Sequence, residues 1–161
     1  MFPMITRLAS AVPVAAVLLA AAVPAAYAAP ACGSRLSDWQ DRGGTSYTGT
    51  LDGATYAPYQ RIQVQVTVAN GVATTTADPA PDYLEQFDNQ TIDFRTVNDR
   101  PVLQWAVSRI AARTEGVTLQ NPMCGPSGTA VTSAFLHLTY TTDLVGYTRD
   151  EDYYGEVTRA Q

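Results

Sequence analysis

One histidine, His137, two cysteines, Cys32 and Cys124, and a few clustered carboxylates are the residues with which this sequence could do chemistry. A serine-type triad would have to use His137, which stands between Leu136 and Leu138, and no Gly-x-Ser-x-Gly elbow is present to hold a nucleophile. Zinc takes His and Cys ligands at set spacings and calcium an Asp-rich loop, and the sequence has neither. Met123, Cys124 and His137 are blue-copper ligand types, but such a centre takes two histidines. His137 therefore reads as a core or surface residue. The acid pairs Asp82/Glu85 and Asp150/Asp152 have the residue types of a glycosidase and read as solvated carboxylates. What remains is Pro126-Ser127-Gly128-Thr129-Ala130, a turn expected at the start of a helix, where free N–H groups favour a phosphate. Ser127 is at the same time an ordinary helix N-cap residue.

The composition that must position these residues is that of one globular domain. Of 161 residues, 46% are hydrophobic and 16% charged, which excludes a disordered chain, and two cysteines are too few for a disulfide-framework miniprotein. All ten basic residues are arginine, against fifteen acidic ones, and the net charge is -5 with no basic cluster. Nucleic acid and anionic lipid are therefore disfavoured as partners.

Residues 1–28 read as a secretory signal peptide, with Arg7, the apolar run Leu8 to Val23 and the cleavage pattern Ala26-Tyr27-Ala28. A spanning helix needs roughly 20 apolar residues, so membrane contact is expected only through this export signal. The product is expected to be secreted or held in the cell envelope. Export carries Cys32 and Cys124 into an oxidising compartment, where they are expected to pair and stabilise the fold by roughly 4 kcal/mol.

Residues 29–45 form a polar lead-in. Tyr47 to Leu51, the alternating Arg61 to Val68 and Val72 to Ala77 read as a three-stranded meander, with Asn70-Gly71 as a hairpin signal. Asp82 to Thr96 reads as an ordered loop. Leu103, Ala106, Val107, Ile110 and Ala111 recur at threes and fours between Pro101 and Gly116 and predict a long helix, with Arg109 and Arg113 near its C-terminal end. Val117-Thr118-Leu119 is a candidate strand, and Val131, Ala134, Phe135 and Leu138 predict a shorter helix after Ser127. Residues 141–161 read as an acidic, solvated tail. The expected class is α+β, an antiparallel meander packed by one long and one shorter helix.

Taken together, Tyr47-Thr48-Gly49, Tyr56-Ala57-Pro58, Val64 to Val68, Asn70-Gly71-Val72, Pro101-Val102-Leu103 and Ser127 to Ser133 give residues 46–140 a family likeness. The segment resembles the small FMN-binding domain of exported flavoproteins, a family that includes a subunit of sodium-pumping quinone reductase. The resemblance implies electron transfer through FMN with a redox partner still to be identified, the flavin supplying the chemistry. It implies Ser127, Gly128, Thr129, Ala130 and Thr132 as the phosphate-side residues, and Tyr56, Tyr59 or Trp105 as ring-stacking groups. Thr129 stands where the family has alanine, Ala130 where it has the threonine esterified to FMN, and Cys124 where it has an acid. A noncovalent flavin follows from these departures, with Thr129 or Thr132 as displaced acceptors if attachment is covalent. The alternative is a flavin-free structural or interaction domain.

Overall fold

A computed structural model of the chain describes residues 31–110, 113–126, 128–144 and 147–161. The signal-peptide reading and Ser127 lie outside the described residues.

The meander forms as its pattern requires. β1 (Thr45–Gly53), β2 (Arg61–Ala69) and β3 (Val72–Asp78) pair antiparallel, and β2 buries every second residue. The Asn70-Gly71 hairpin has φ of 52° and 76°, the positive pair that a two-residue turn between twisted strands requires.

Beyond Asp78 the α+β expectation is overturned, because the rest of the chain is also antiparallel strand. A 3-10 turn, η1 (Leu84–Phe87), leads to β4 (Gln90–Thr91), β5 (Asp93–Val97), β6 (Arg100–Ile110) and β7 (Arg113–Cys124). β8 (Val131–Leu144), β9 (Tyr147–Asp150) and β10 (Tyr153–Arg159) complete the order, and the longest α-helix described is α1 (Leu36–Trp39).

Where a long helix is expected over 101–116, residues 101–110 and 113–116 lie on two antiparallel strands, β6 and β7. The misleading period comes from a β-bulge: Trp105 pairs with Val117 and Ser108 with Glu115, so β6 carries one extra residue. Inserting one residue into a period of two converts an inward spacing of two into one of three, which imitates a helical stripe. Ala106 takes φ of 52° at that bulge. The shorter helix expected over 127–138 is β8, where Val131, Leu136 and Leu138 are buried and Phe135 and His137 lie on the other face. Residues 141–161, read as a tail, supply β9 and β10, and β10 lies between β1 and β8 with Tyr153 and Val157 fully buried.

The sheet order is β4-β3-β2-β1-β10-β8-β7-β6-β5, curled into a nearly closed barrel. Only Ile92 separates β4 from β5, so the chain from Gln90 to Val97 bonds first to β3 and then to β6. Across the same gap the Trp105 indole N–H donates to Thr75 Oγ1 at 3.1 Å. At the β1–β10 seam, a Cβ on Gly49 would lie 2.3 Å from the Glu156 carbonyl oxygen, so only glycine permits that approach.

Side chains fill the interior, among them Trp39, Trp105, Tyr47, Tyr153, Phe87 and Leu51, each almost fully buried. α1 covers one barrel end, where the Cys32–Cys124 disulfide ties the N-terminal segment to β7. η1 covers the other.

Candidate functional site

The turn expected to hold a phosphate joins β7 to β8, and the element that follows it is a strand, not a helix. Two of the turn's described N–H groups are used internally: Gly125 N–H donates to the Ala130 carbonyl at 3.1 Å and Gly128 N–H to the Gly125 carbonyl at 2.8 Å. The Thr132 hydroxyl donates to the Met123 carbonyl at 3.1 Å, and the Thr129 carbonyl oxygen contacts Cys124 Sγ. With the helix goes the dipole argument that made this turn an anion cradle. The three aromatics expected to stack a flavin ring are also dispersed. Trp105 is buried in the barrel, while Tyr56 and Tyr59 lie exposed in the β1–β2 loop at the end opposite the turn.

A dense collection of ionisable groups lies instead at the corner Asp150-Glu151-Asp152, where β8 changes partner from β10 to β9. A strand that exchanges neighbours leaves backbone groups unpaired, and side chains of this corner take them. Asp152 Oδ1 accepts the Tyr140 N–H at 2.9 Å, Asp152 Oδ2 meets His137 Nε2 at 2.9 Å, and Asp150 Oδ1 accepts the Asp152 N–H at 3.1 Å. Glu151 is 4% exposed and ion-paired with Arg149, and its carbonyl accepts the Tyr83 hydroxyl at 2.8 Å. Tyr83 stacks on Tyr140 at 4.1 Å and 6°, and Arg113 lies over the Tyr140 ring at 4.7 Å. Arg113 also pairs with Glu115 and donates to Gln86 of η1 at 2.7 Å. The sequence reading of Asp150 and Asp152 as solvated carboxylates is thus corrected for Asp152, whose side chain is 17% exposed.

Electrostatics at the corner follow from these contacts. Burial pushes the Asp152 carboxyl up, but hydrogen bonds from His137 and the Tyr140 N–H outweigh it and hold the group below its ordinary value. Burial pushes the Tyr83 phenol far up, helped by the nearby Tyr153, Glu151 and Asp152. A triad does not follow. The only hydroxyl near the histidine in the described geometry, Thr139 Oγ1 at 3.4 Å, approaches the same Nε2 that binds Asp152, whereas a relay needs acid and nucleophile on opposite ring nitrogens. Among the described residues no group of three or more His, Cys, Asp or Glu could hold a metal ion. The cavity here, about 220 Å³ and lined by Asp82, Tyr83, Gln86, Tyr140, Arg149 and Glu151, is small, and its charged walls largely pair with one another. The corner is a lock on the barrel end.

A second concave region lies on the outer face of β6 and β7, beneath the β5–β6 hairpin. It holds about 450 Å³ between Asn98, Arg100, Gln104, Thr118, Gln120 and Asn121, with Val97 at its rim. Val102, only 5% exposed, lines it as an aliphatic floor. The hairpin that walls it has Asn98 and Asp99 at φ of 49° and 61°, a tight two-residue turn. Opposite it, β7 bulges between Gln120 and Met123, with Asn121 at φ of 51°, and Arg100 Nη1 donates to Asn121 Oδ1 at 3.1 Å. Beyond Asn121 the surface continues into a hollow of about 310 Å³ over Met123, Ser133 and Phe135, with the Glu156 carboxylate in its lining. A groove of similar volume beside β3 carries Asp82, Glu85 and Asp88 and no basic side chain, so it offers acceptors without charged donors. The β6–β7 groove combines both. None of its residues stood out in the sequence as a site: Val102 and Gln104 fall within the helix expected over 101–116, and the others belong to no chemical motif.

Comparison of the chain with family models, curated proteins and solved structures found no match in any of the three. Architecture and surface chemistry therefore carry the functional reading: a disulfide-tied antiparallel barrel with a filled interior and a polar groove on its outer face.

Proposed function

We propose that this chain is an exported, flavin-free binding module that recognises its ligand on the outer face of β6 and β7. The observation that carries this reading is the contrast between a barrel interior filled by Trp39, Tyr47, Leu51, Trp105 and Tyr153 and an outer groove of about 450 Å³. A filled interior leaves recognition to the surface, and a groove with an apolar floor and a few convergent polar groups is the usual form of a small-ligand site. Export fits the disulfide, since such bonds persist in oxidising compartments. Redox chemistry through FMN is the competing reading; against it count the Gly128 N–H, which donates to the Gly125 carbonyl, and the Thr132 hydroxyl, which donates to the Met123 carbonyl.

The deciding experiment is a titration of the purified disulfide-bonded protein with FMN, followed by melting temperature and amide chemical shifts. The expected result is no rise in melting temperature and no shifts in the segment from Gly125 to Thr132. A rise of several degrees, with shifts in that segment, would return the protein to the flavoproteins.

A further inference from the structure

The composition of the β6–β7 groove narrows what it can hold. We propose that it binds a saccharide containing uronic acid, an inference that rests on the outer-face reading above. Four carboxamides, Asn98, Gln104, Gln120 and Asn121, line the groove together with the Thr118 hydroxyl. Each carboxamide presents a donor beside an acceptor, the pattern that complements two neighbouring hydroxyls of a pyranose ring. The one charged group on the wall is Arg100, whose planar fork has five N–H donors, one of them given to Asn121 Oδ1. A guanidinium with donors to spare calls for a carboxylate, and no carboxylate lines the groove. Asp93, in register with Gln104 on β5, is already ion-paired with Arg95. Val102 offers an aliphatic floor against the C–H face of a ring.

Other occupants fit less well. An extended peptide would bind along a sheet edge, where main-chain groups are free, and this groove lies on a sheet face between two paired strands. A nucleic acid would need several phosphate contacts, and the groove has one arginine in a chain of net charge -5.

The test is isothermal titration of the full disulfide-bonded protein with trigalacturonate and trimannuronate, each beside its methyl ester, which keeps the hydroxyls and removes the charge. At least one acid is expected to bind at least tenfold more tightly than its ester. Arg100→Gln should abolish that difference, and Thr118→Phe, which fills the groove from an outward strand position, should abolish binding of both forms. If Thr118→Phe fails to fold, Gln120→Ala should weaken acid and ester by the same several-fold factor. Equal affinity for acid and ester, lost in Thr118→Phe, overturns the uronate while leaving the outer-face reading in place. Binding that survives both Arg100→Gln and the groove-filling variant overturns the outer-face reading itself. No binding of any probe at millimolar concentration overturns the saccharide class.

Discussion

The two ends of the barrel are closed by different physics. At the disulfide end, Trp39 is fully buried, its indole N–H donates to the Gly33 carbonyl at 2.8 Å, and the Tyr47 hydroxyl donates to the Trp39 carbonyl at 2.8 Å. The segment carrying it is fixed covalently by Cys32–Cys124, 92 residues apart in sequence. At the opposite end, η1 is held by the Tyr83–Tyr140 stack, by Arg113 and by hydrogen bonds to the Asp150–Asp152 corner. Both ends bury apolar side chains and both carry ion pairs, Arg159–Asp41 at the first and Arg149–Glu151 at the second. The disulfide, however, belongs to the first and the buried acid Glu151, next to Asp152, to the second. Acid should therefore act mainly on the second, through Asp152, and reducing agents on the first.

The largest effect should come from breaking the covalent end. A Cys32→Ala/Cys124→Ala double variant removes the constraint on a loop of about ninety residues and should cost about 4 kcal/mol, read as a fall in melting temperature of roughly 10–15 °C. Trp39→Ala should come close behind, at about 3–4 kcal/mol by the usual cost of emptying an aromatic site, measured by denaturant titration. If both variants melt like the parent, the N-terminal segment is not a closure and the comparison of ends collapses.

The polar end should respond to pH. The Asp152 carboxyl titrates lower in the folded protein than in the unfolded chain, so it contributes stability above the unfolded value, about 3.9, and loses it as pH falls through its folded value. Melting temperature should drop steeply below about pH 4. Asp152→Asn should flatten this drop while costing about 2 kcal/mol at neutral pH, through the lost charged hydrogen bonds to His137 and the Tyr140 N–H. An unchanged acid profile in Asp152→Asn would move the acid sensitivity elsewhere.

How far the sequence announces these features follows the same division. The first meander was legible because Arg61 to Val68 alternates without interruption and Asn70-Gly71 has one common use. The pairing of Cys32 with Cys124 was legible because no other cysteine competes. The second half was misread where bulges at Ala106 and Asn121 break the period of two, and where short residues such as Ala134 suit either periodicity. Asp150-Glu151-Asp152 looked solvated because three adjacent acids ordinarily are. Their burial depends on Tyr83, Arg149 and His137, none of which a local pattern can bring to them. The outer groove was invisible for a related reason, since its walls are contributed by three strands and face the side of the sheet that carries no apolar signal.

A gentler cut at the polar end is Tyr83→Phe, which keeps the stack on Tyr140 and removes only the hydroxyl that donates to the Glu151 carbonyl. It should cost about 1 kcal/mol and raise hydrogen exchange around η1 while leaving amides near Trp39 protected. Equal loosening at both ends would mean that the closures are not independent.

The smallest effect should run in the opposite direction. Ala106 sits at φ of 52° in the β6 bulge, a left-handed conformation that a Cβ disfavours and glycine adopts without cost. Ala106→Gly gives up some side-chain packing and gains entropy in the unfolded chain, both unfavourable, while relieving the backbone. The balance should be a gain of roughly 0.5 kcal/mol, visible as a small rise in denaturant midpoint with an unchanged slope. The bulge lets β6 hold Trp105 inward, against Thr75, and still pair Ser108 with Glu115 further along β7. A loss of stability in Ala106→Gly would show that the alanine methyl, packed against the core, matters more than the strain, and that the β6 bend is held by side chains.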